Sequence, residues 1–210
     1  MYMPPAFRNQ DLGALHDVIR SYPLGTLVTS APELTANHVP FCIDADAGSH
    51  GFGLLRAHLA RRNEQASLPA MTVDCLVLFL GVDHYVTPSW YETKRATGKV
   101  VPTWNYIAVH ARGTLRIIDD ALWIRRQIEA LTQSHERGRS APWAVSDAPE
   151  DFVAGQVRGI VGVEIDIVDL QGKWKLSQNR NLADRQGVAA GLTQDGDPAG
   201  TAMSAMIDIE

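Results

Sequence analysis

Residues 160–180 read IVGVEIDIVDLQGKWKLSQNR. In the first half, Val161, Val163, Ile165 and Ile167 alternate with Gly162, Glu164, Asp166 and Val168. A period of two places one set on a buried face and the other opposite it, so Ile160 to Leu170 is the clearest strand in the chain. It leads without a break into Gly172–Arg180, where alternation puts Lys173 and Lys175 on one side and Trp174 on the other.

The same period recurs upstream. Gly25 to Ser30 is rich in β-formers, Val39, Phe41 and Ile43 alternate with other residues, and Gly51 to Leu55, Thr72 to Gly81 and Thr103 to Ile118 read as further strands. Helical spacing is peripheral. Asp11 is placed to cap a short helix whose Leu12, Leu15, Val18 and Ile19 share a face, with Pro23 ending it. Ala121 to His135 is a second helix, with Ala121, Ile124, Ile128 and Leu131 in line. Arg56 to Ala66 reads as a basic turn or short helix, and Val82 to Pro102, broken by Pro88 and Gly98, as a long ordered loop. The tail from Asn181 to Glu210 is helical around a break at Gln194–Gly200 and reads as a cap. Six or so strands with helices outside them predict a mainly β, α+β barrel in one domain over 1–210, not a doubly wound sheet.

Composition narrows the function. With 210 residues and 45% hydrophobic content there is enough chain for one substantial core. Nineteen Lys and Arg against 24 Asp and Glu leave a formal charge of -5, which does not draw the protein toward nucleic acid. No signal-like leader or apolar span is present in the sequence given, so a cytoplasmic protein is expected. Cys42 and Cys75 sit in apolar strand contexts and are expected as free thiols. His38, His58, His84 and His110 are dispersed without metal-ligand spacing.

Three segments mix aromatic, amide, hydroxyl and basic groups: YVTPSWY at 85–91, VPTWNY at 101–106 and GKWKLSQNR at 172–180. Aromatic cover, amide partners and cations together suit a phosphorylated planar ligand. A flavin, another nucleotide, a haem or a sugar phosphate would ask for similar groups. Aromatic residues also fill cores and subunit interfaces, and surface arginines are often solvated. No nucleophile stands beside a base, and no carboxylate pair has acid–base spacing.

The opening MYMPPAF, ANHVPF at 36–41, YVTPSWY, VPTWNY with Val109 and His110 after it, and GKWKLSQNR with Asp184, Arg185 and Gly187 resemble, in order, the PaiB family of FMN-binding negative transcriptional regulators. The likeness runs from the first residue to about Leu192. It implies a split β-barrel similar to pyridoxamine phosphate oxidase, binding flavin mononucleotide (FMN) where two subunits of a homodimer meet. On that resemblance Asn37, His38, Val39 and Pro40 lie beside the flavin ring, and Arg56, His58 and Arg61 hold the phosphate. Ser89, Trp90, Tyr91, Lys94, Thr103, Trp104, Asn105, Lys175, Gln178 and Asn179 complete the pocket. The resemblance implies a transcriptional or metabolic regulator; a flavin-dependent oxidoreductase of the same superfamily is the alternative, and a haem protein using His58 or His110 a third. DNA binding enters through the family's name alone. In the tail Asp184, Asp195, Asp197, Asp208 and Glu210 outnumber Arg185, the wrong sign for a recognition helix.

Overall fold

The computed structural model describes residues 1–30, 33–67 and 73–209. Among them are eight strands: β1 (Arg8–Asn9), β2 (Leu24–Thr29), β3 (Thr35–Pro40), β4 (Cys42–Asp44), β5 (Leu54–Ala60), β6 (Val73–Val86), β7 (Thr103–Ile118) and β8 (Ile160–Lys175). The helices are α1 (Leu12–Ser21), α2 (Glu92–Thr97), α3 (Ala121–Glu136), α4 (Glu150–Arg158), α5 (Leu182–Gln194) and α6 (Pro198–Ser204). Hydrogen-bonded neighbours follow the order β3-β2-β6-β7-β8-β5-β4, with β1 added to β8.

The chain packs as two compact units. The first takes Met1–Leu15, Leu80–Val109 and the chain from Gln171 onward; the second takes His16–Phe79 and His110–Leu170. Along β8 the buried positions change phase, from Val161, Val163, Ile165 and Ile167 to Leu170 and Gly172.

In the second unit the two edge strands of the sheet, β3 and β4, are consecutive in sequence with only Phe41 between them. β3 pairs antiparallel with β2 and β4 with β5, so the sheet curls until its edges meet at that corner. The expected single strand through Val39, Phe41 and Ile43 is therefore two. Pro40 has no N–H with which to continue the ladder. Phe41 turns inward, 2% exposed, and packs edge-on against Phe79 with ring centroids 5.8 Å apart, a favoured aromatic geometry. Helix α3 starts where Asp120 Oδ1 accepts the Trp123 N–H at 2.7 Å. Such a cap is worth about 1 kcal/mol. Ile124 packs with Val145, Val153 and Val157. Gly162 leaves room for the Trp123 ring, which would lie 2.3 Å from a Cβ there.

Three other expectations are corrected. Arg56–Ala60 is strand, not turn or helix: Leu55, Ala57 and Leu59 are buried while Arg56 and His58 alternate outward. The expected strand from Gly51 begins only at Leu54, because Gly51 and Gly53 adopt φ of +78° and +94° in the preceding turn, a conformation that glycine adopts at no steric cost. The supposed loop from Val82 is strand as far as Val86, followed by a 3-10 turn at Pro88–Trp90 and by α2. Gly98 closes α2 at φ +67°, the usual left-handed helix stop. Thr72 of the expected sixth-strand segment lies outside the described residues. By contrast β7 coincides with its expected span, and α1 is capped through Asp11 Oδ1, which accepts the Gly13 N–H at 2.9 Å.

In the first unit the tail carries α5 and α6. Asn181 caps α5 by accepting the Asp184 N–H at 2.9 Å, again through a side-chain oxygen. Buried Asp184 in turn accepts both the N–H and the hydroxyl of Thr93, each at 2.8 Å. These bonds fasten α5 to α2.

Candidate functional site

All three ligand-like segments fall in the first unit, and the structure brings them together. Tyr91, Val101, Thr103, Asn105, Lys175, Ser177, Asn179 and Arg180 surround a cavity of about 80 Å³. Register explains part of this: β7 carries Thr103 and Asn105, two residues apart and so on one face, and β8 ends with Lys175.

Lys175 Nζ donates to Thr103 Oγ1 at 2.5 Å and to the carbonyl of Trp104. Burial, and then the charges of Lys173 and Arg180, hold its ammonium below the usual lysine range. Buried Asn105 and Ser177 exchange hydrogen bonds, Nδ2 to Oγ at 3.0 Å and Oγ to Oδ1 at 3.3 Å. Ser177 has φ +67°, the sole non-glycine residue with positive φ among the described residues. That conformation costs roughly 1–2 kcal/mol, and local bonds hold it in place. Gln178 Oε1 accepts the Leu176 N–H and its Nε2 donates to the Trp174 carbonyl, each at 2.7 Å. Arg180 N–H donates to the Ser177 carbonyl at 2.9 Å.

The Arg180 guanidinium lies 4.6 Å from the centroid of the Tyr91 ring, within cation–π range. Tyr91 is fully buried, and its hydroxyl is without a hydrogen-bond partner. Burial raises its phenol above the ordinary tyrosine range, opposed by the nearby Arg180 guanidinium. Lys173, also buried, donates to the Tyr2 carbonyl at 3.2 Å and lies 5.1 Å from the Tyr106 ring.

Of the residues expected in the pocket, Tyr91, Thr103, Asn105, Lys175 and Asn179 line it. Gln178 supports it through the turn just described. Ser89 accepts from Lys94 Nζ at 3.0 Å, and both are exposed. Trp104 is exposed and meets Tyr85 edge-on at 6.1 Å. Trp90 packs under α5, where its ring would come 2.4 Å from a Cβ at Gly191.

The remaining candidates belong to the second unit, most with protein partners there. Asn37 Nδ2 donates to Gln65 Oε1 at 2.9 Å, His38 is exposed on β3, Val39 is core, and Pro40 ends the strand. Arg56 pairs with Asp44 at 2.9 Å and Glu164 at 3.4 Å, His58 Nδ1 meets Gln127 Oε1 at 2.7 Å, and Arg61 grips both oxygens of Asp119 at 2.7 and 2.8 Å. Cys42 and Cys75 are free thiols, and burial pushes that of Cys75 up to about 12.

Ser177 and Arg180, which line the cavity, and Lys173, whose charge acts on Lys175, are candidate residues that sequence reasoning missed. Lys173 shares strand parity with Lys175 on β8, which was a usable signal; Ser177 lies beyond the strand's end and has none. Arg180 lies inside the quoted segment, but nothing in its spacing points at Tyr91.

The model of the family described as "Putative FMN-binding domain" matches residues 1–169. An uncharacterised protein of Emericella nidulans is 39% identical, over 99% of this chain and 96% of the relative. The protease synthase and sporulation protein PAI 2 of Bacillus subtilis is 28% identical, over 99% of this chain and 97% of its own. Among solved structures, the FAD and haem binding protein from Mycobacterium smegmatis matches at TM-score 0.59 and 16% identity, over 80% of this chain and 73% of that one. That likeness identifies the fold as a split β-barrel with added helices. The resemblance read from the sequence motifs holds at the level of family.

Proposed function

Because the chain belongs to the FMN-binding domain family, we propose that it is a flavin mononucleotide-binding protein of the PaiB type, with the cofactor carried on the segments 85–91, 101–106 and 172–180. The observation that carries this reading is the convergence of those segments in one unit around half-buried cations, amides and a buried phenol. The donor set fits the group. Lys175 and Arg180 offer charge to a phosphate, and the exposed amide of Asn179 can donate and accept at a polar ring edge. The exposed pair of Tyr85 and Trp104 offers flat apolar cover. Bound flavin supplies reversible electron transfer; the chain supplies binding, orientation and electrostatics.

The protein works as a homodimer. Leu80, Tyr85, Val101 and Trp104 are large apolar side chains left exposed in the first unit, the kind of surface that a second copy covers. It acts as a regulator in the cytoplasm, its flavin serving as signal rather than catalyst. Support comes from the PaiB resemblance and from the burial of Tyr91, which withdraws a ring that an open substrate cavity would expose. Among the described residues no helix is long and apolar enough to cross a membrane. The acidic tail, fastened as a cap, favours regulation through a partner or metabolite over direct DNA contact.

The test is to purify the protein, record its visible spectrum and titrate the apo form with FMN. Saturable binding of about one FMN per chain is expected; a colourless protein without measurable FMN affinity overturns the reading. A salt-dependent, sequence-selective shift of promoter DNA would establish direct DNA binding, which the tail's charge argues against.

A further inference from the structure

The cavity beside Tyr91 has a size as well as a chemistry. At about 80 Å³ it holds two or three waters' worth of volume. Sites that enclose a drug-sized ligand run to roughly 300–1,000 Å³, so an isoalloxazine ring does not enter it. A tetrahedral oxyanion does.

Its walls are built for negative charge. The contacts that the structure gives Lys175, Lys173 and Arg180 are with neutral groups: a hydroxyl, two carbonyls and aromatic rings. Gathering like charges in a partly buried place is unfavourable until an anion joins them. The Tyr91 hydroxyl is a second sign. Tyr91 lines the cavity, and its fully buried hydroxyl finds no hydrogen-bond acceptor, the Arg180 guanidinium beside it being a donor. That state costs about 1–3 kcal/mol unless a ligand accepts its proton in a hydrogen bond. Asn105 and Ser177, fixed to each other, close the remaining wall.

We propose that this cavity seats a phosphate monoester dianion, held by Tyr91, Lys175 and Arg180 against the wall of Asn105 and Ser177. The proposal rests on the flavin reading above only in taking the phosphate to be that of FMN; a separate phosphorylated small molecule shares the chemistry. It moves the phosphate away from Arg56 and Arg61, whose guanidinium groups are committed to carboxylates.

Full-length apo protein is titrated with FMN and with riboflavin, as wild type, Arg180→Gln and Arg56→Gln. Loss of a charge-assisted bond corresponds to about a 10- to 100-fold change in affinity. Arg180→Gln is expected to weaken FMN by that factor and leave riboflavin within about twofold, whereas Arg56→Gln leaves the FMN-to-riboflavin ratio unchanged. Equal loss of both ligands in Arg180→Gln, or a collapsed ratio in Arg56→Gln alone, overturns the assignment. Inorganic phosphate separates the sources. Competition with FMN identifies the flavin's own phosphate; a raised melting temperature of the FMN-loaded protein, lost in Arg180→Gln, identifies a second phosphorylated ligand. If neither flavin binds wild type, the flavin reading falls, while stabilisation by phosphate that needs Arg180 still supports the pocket. No competition and no stabilisation by phosphate overturns it.

Discussion

The guanidinium of Arg180 rests 4.6 Å from the ring centroid of Tyr91, whose buried hydroxyl reaches no hydrogen-bond partner. The ring satisfies the cation from one side and leaves the phenol to be satisfied by something else. Tyr91→Phe removes the orphaned group and keeps the ring. The apo variant should gain on the order of 1 kcal/mol, raising its melting temperature by roughly 2–4 °C, while its FMN affinity falls. A thermal melt of the two apo proteins decides it. A clear loss of stability would mean that the hydroxyl is paired in the free protein.

Lys175 sets a pH dependence whose sign follows from its surroundings. Burial, Lys173 and Arg180 lower its folded value below the ordinary 10.5. Protonated in both states at low pH, the group costs the fold stability there. As pH climbs through the lowered folded value toward 10.5, the native state releases a proton that the unfolded chain keeps, so stability rises. Tyr91 acts oppositely: its folded value lies above 10.0, and stability falls once the unfolded phenol ionises. Comparing wild type with Lys175→Met cancels the tyrosine. The apo wild type should gain on the variant in urea titrations as pH rises toward 10.5. A difference that is flat with pH would mean that Lys175 titrates as it does in water.

The cap depends on a close approach at Gly187. A Cβ there would lie 2.0 Å from the main-chain oxygen of Trp90, and backbone cannot step aside as a flexible side chain can. Gly187→Ala should therefore destabilise by about 3 kcal/mol, at the upper end of overpacking costs, and expose the 182–204 region to protease. An unchanged denaturant midpoint would show that α5 does not sit on the 88–90 turn.

What the sequence disclosed and what it hid have physical reasons. Thr103–Ile118 was legible because its alternation is unbroken, and Asp11 and Asn181 because caps are local chemistry. The break at Pro40 was visible as a proline, but the change of partner strand behind it was not. On β5 the basic side chains drew attention away from the period of Leu55, Ala57 and Leu59. Within the site, Tyr91, Thr103, Asn105, Lys175 and Asn179 could be named because each sits in a segment dense in binding groups. The left-handed Ser177 could not, since a serine carries no mark of its φ. Arg56, His58 and Arg61 looked free to bind phosphate because Glu164, Gln127 and Asp119 lie far along the chain.

Hydrogen–deuterium exchange with and without saturating FMN tests the central claim most directly. Peptides covering 85–91, 101–106 and 172–180 should slow together on FMN addition, with Arg180→Gln weakening the effect at matched FMN. Protection confined to the peptides around Asn37–Pro40 and Arg56–Arg61, with the three segments unchanged, would contradict it.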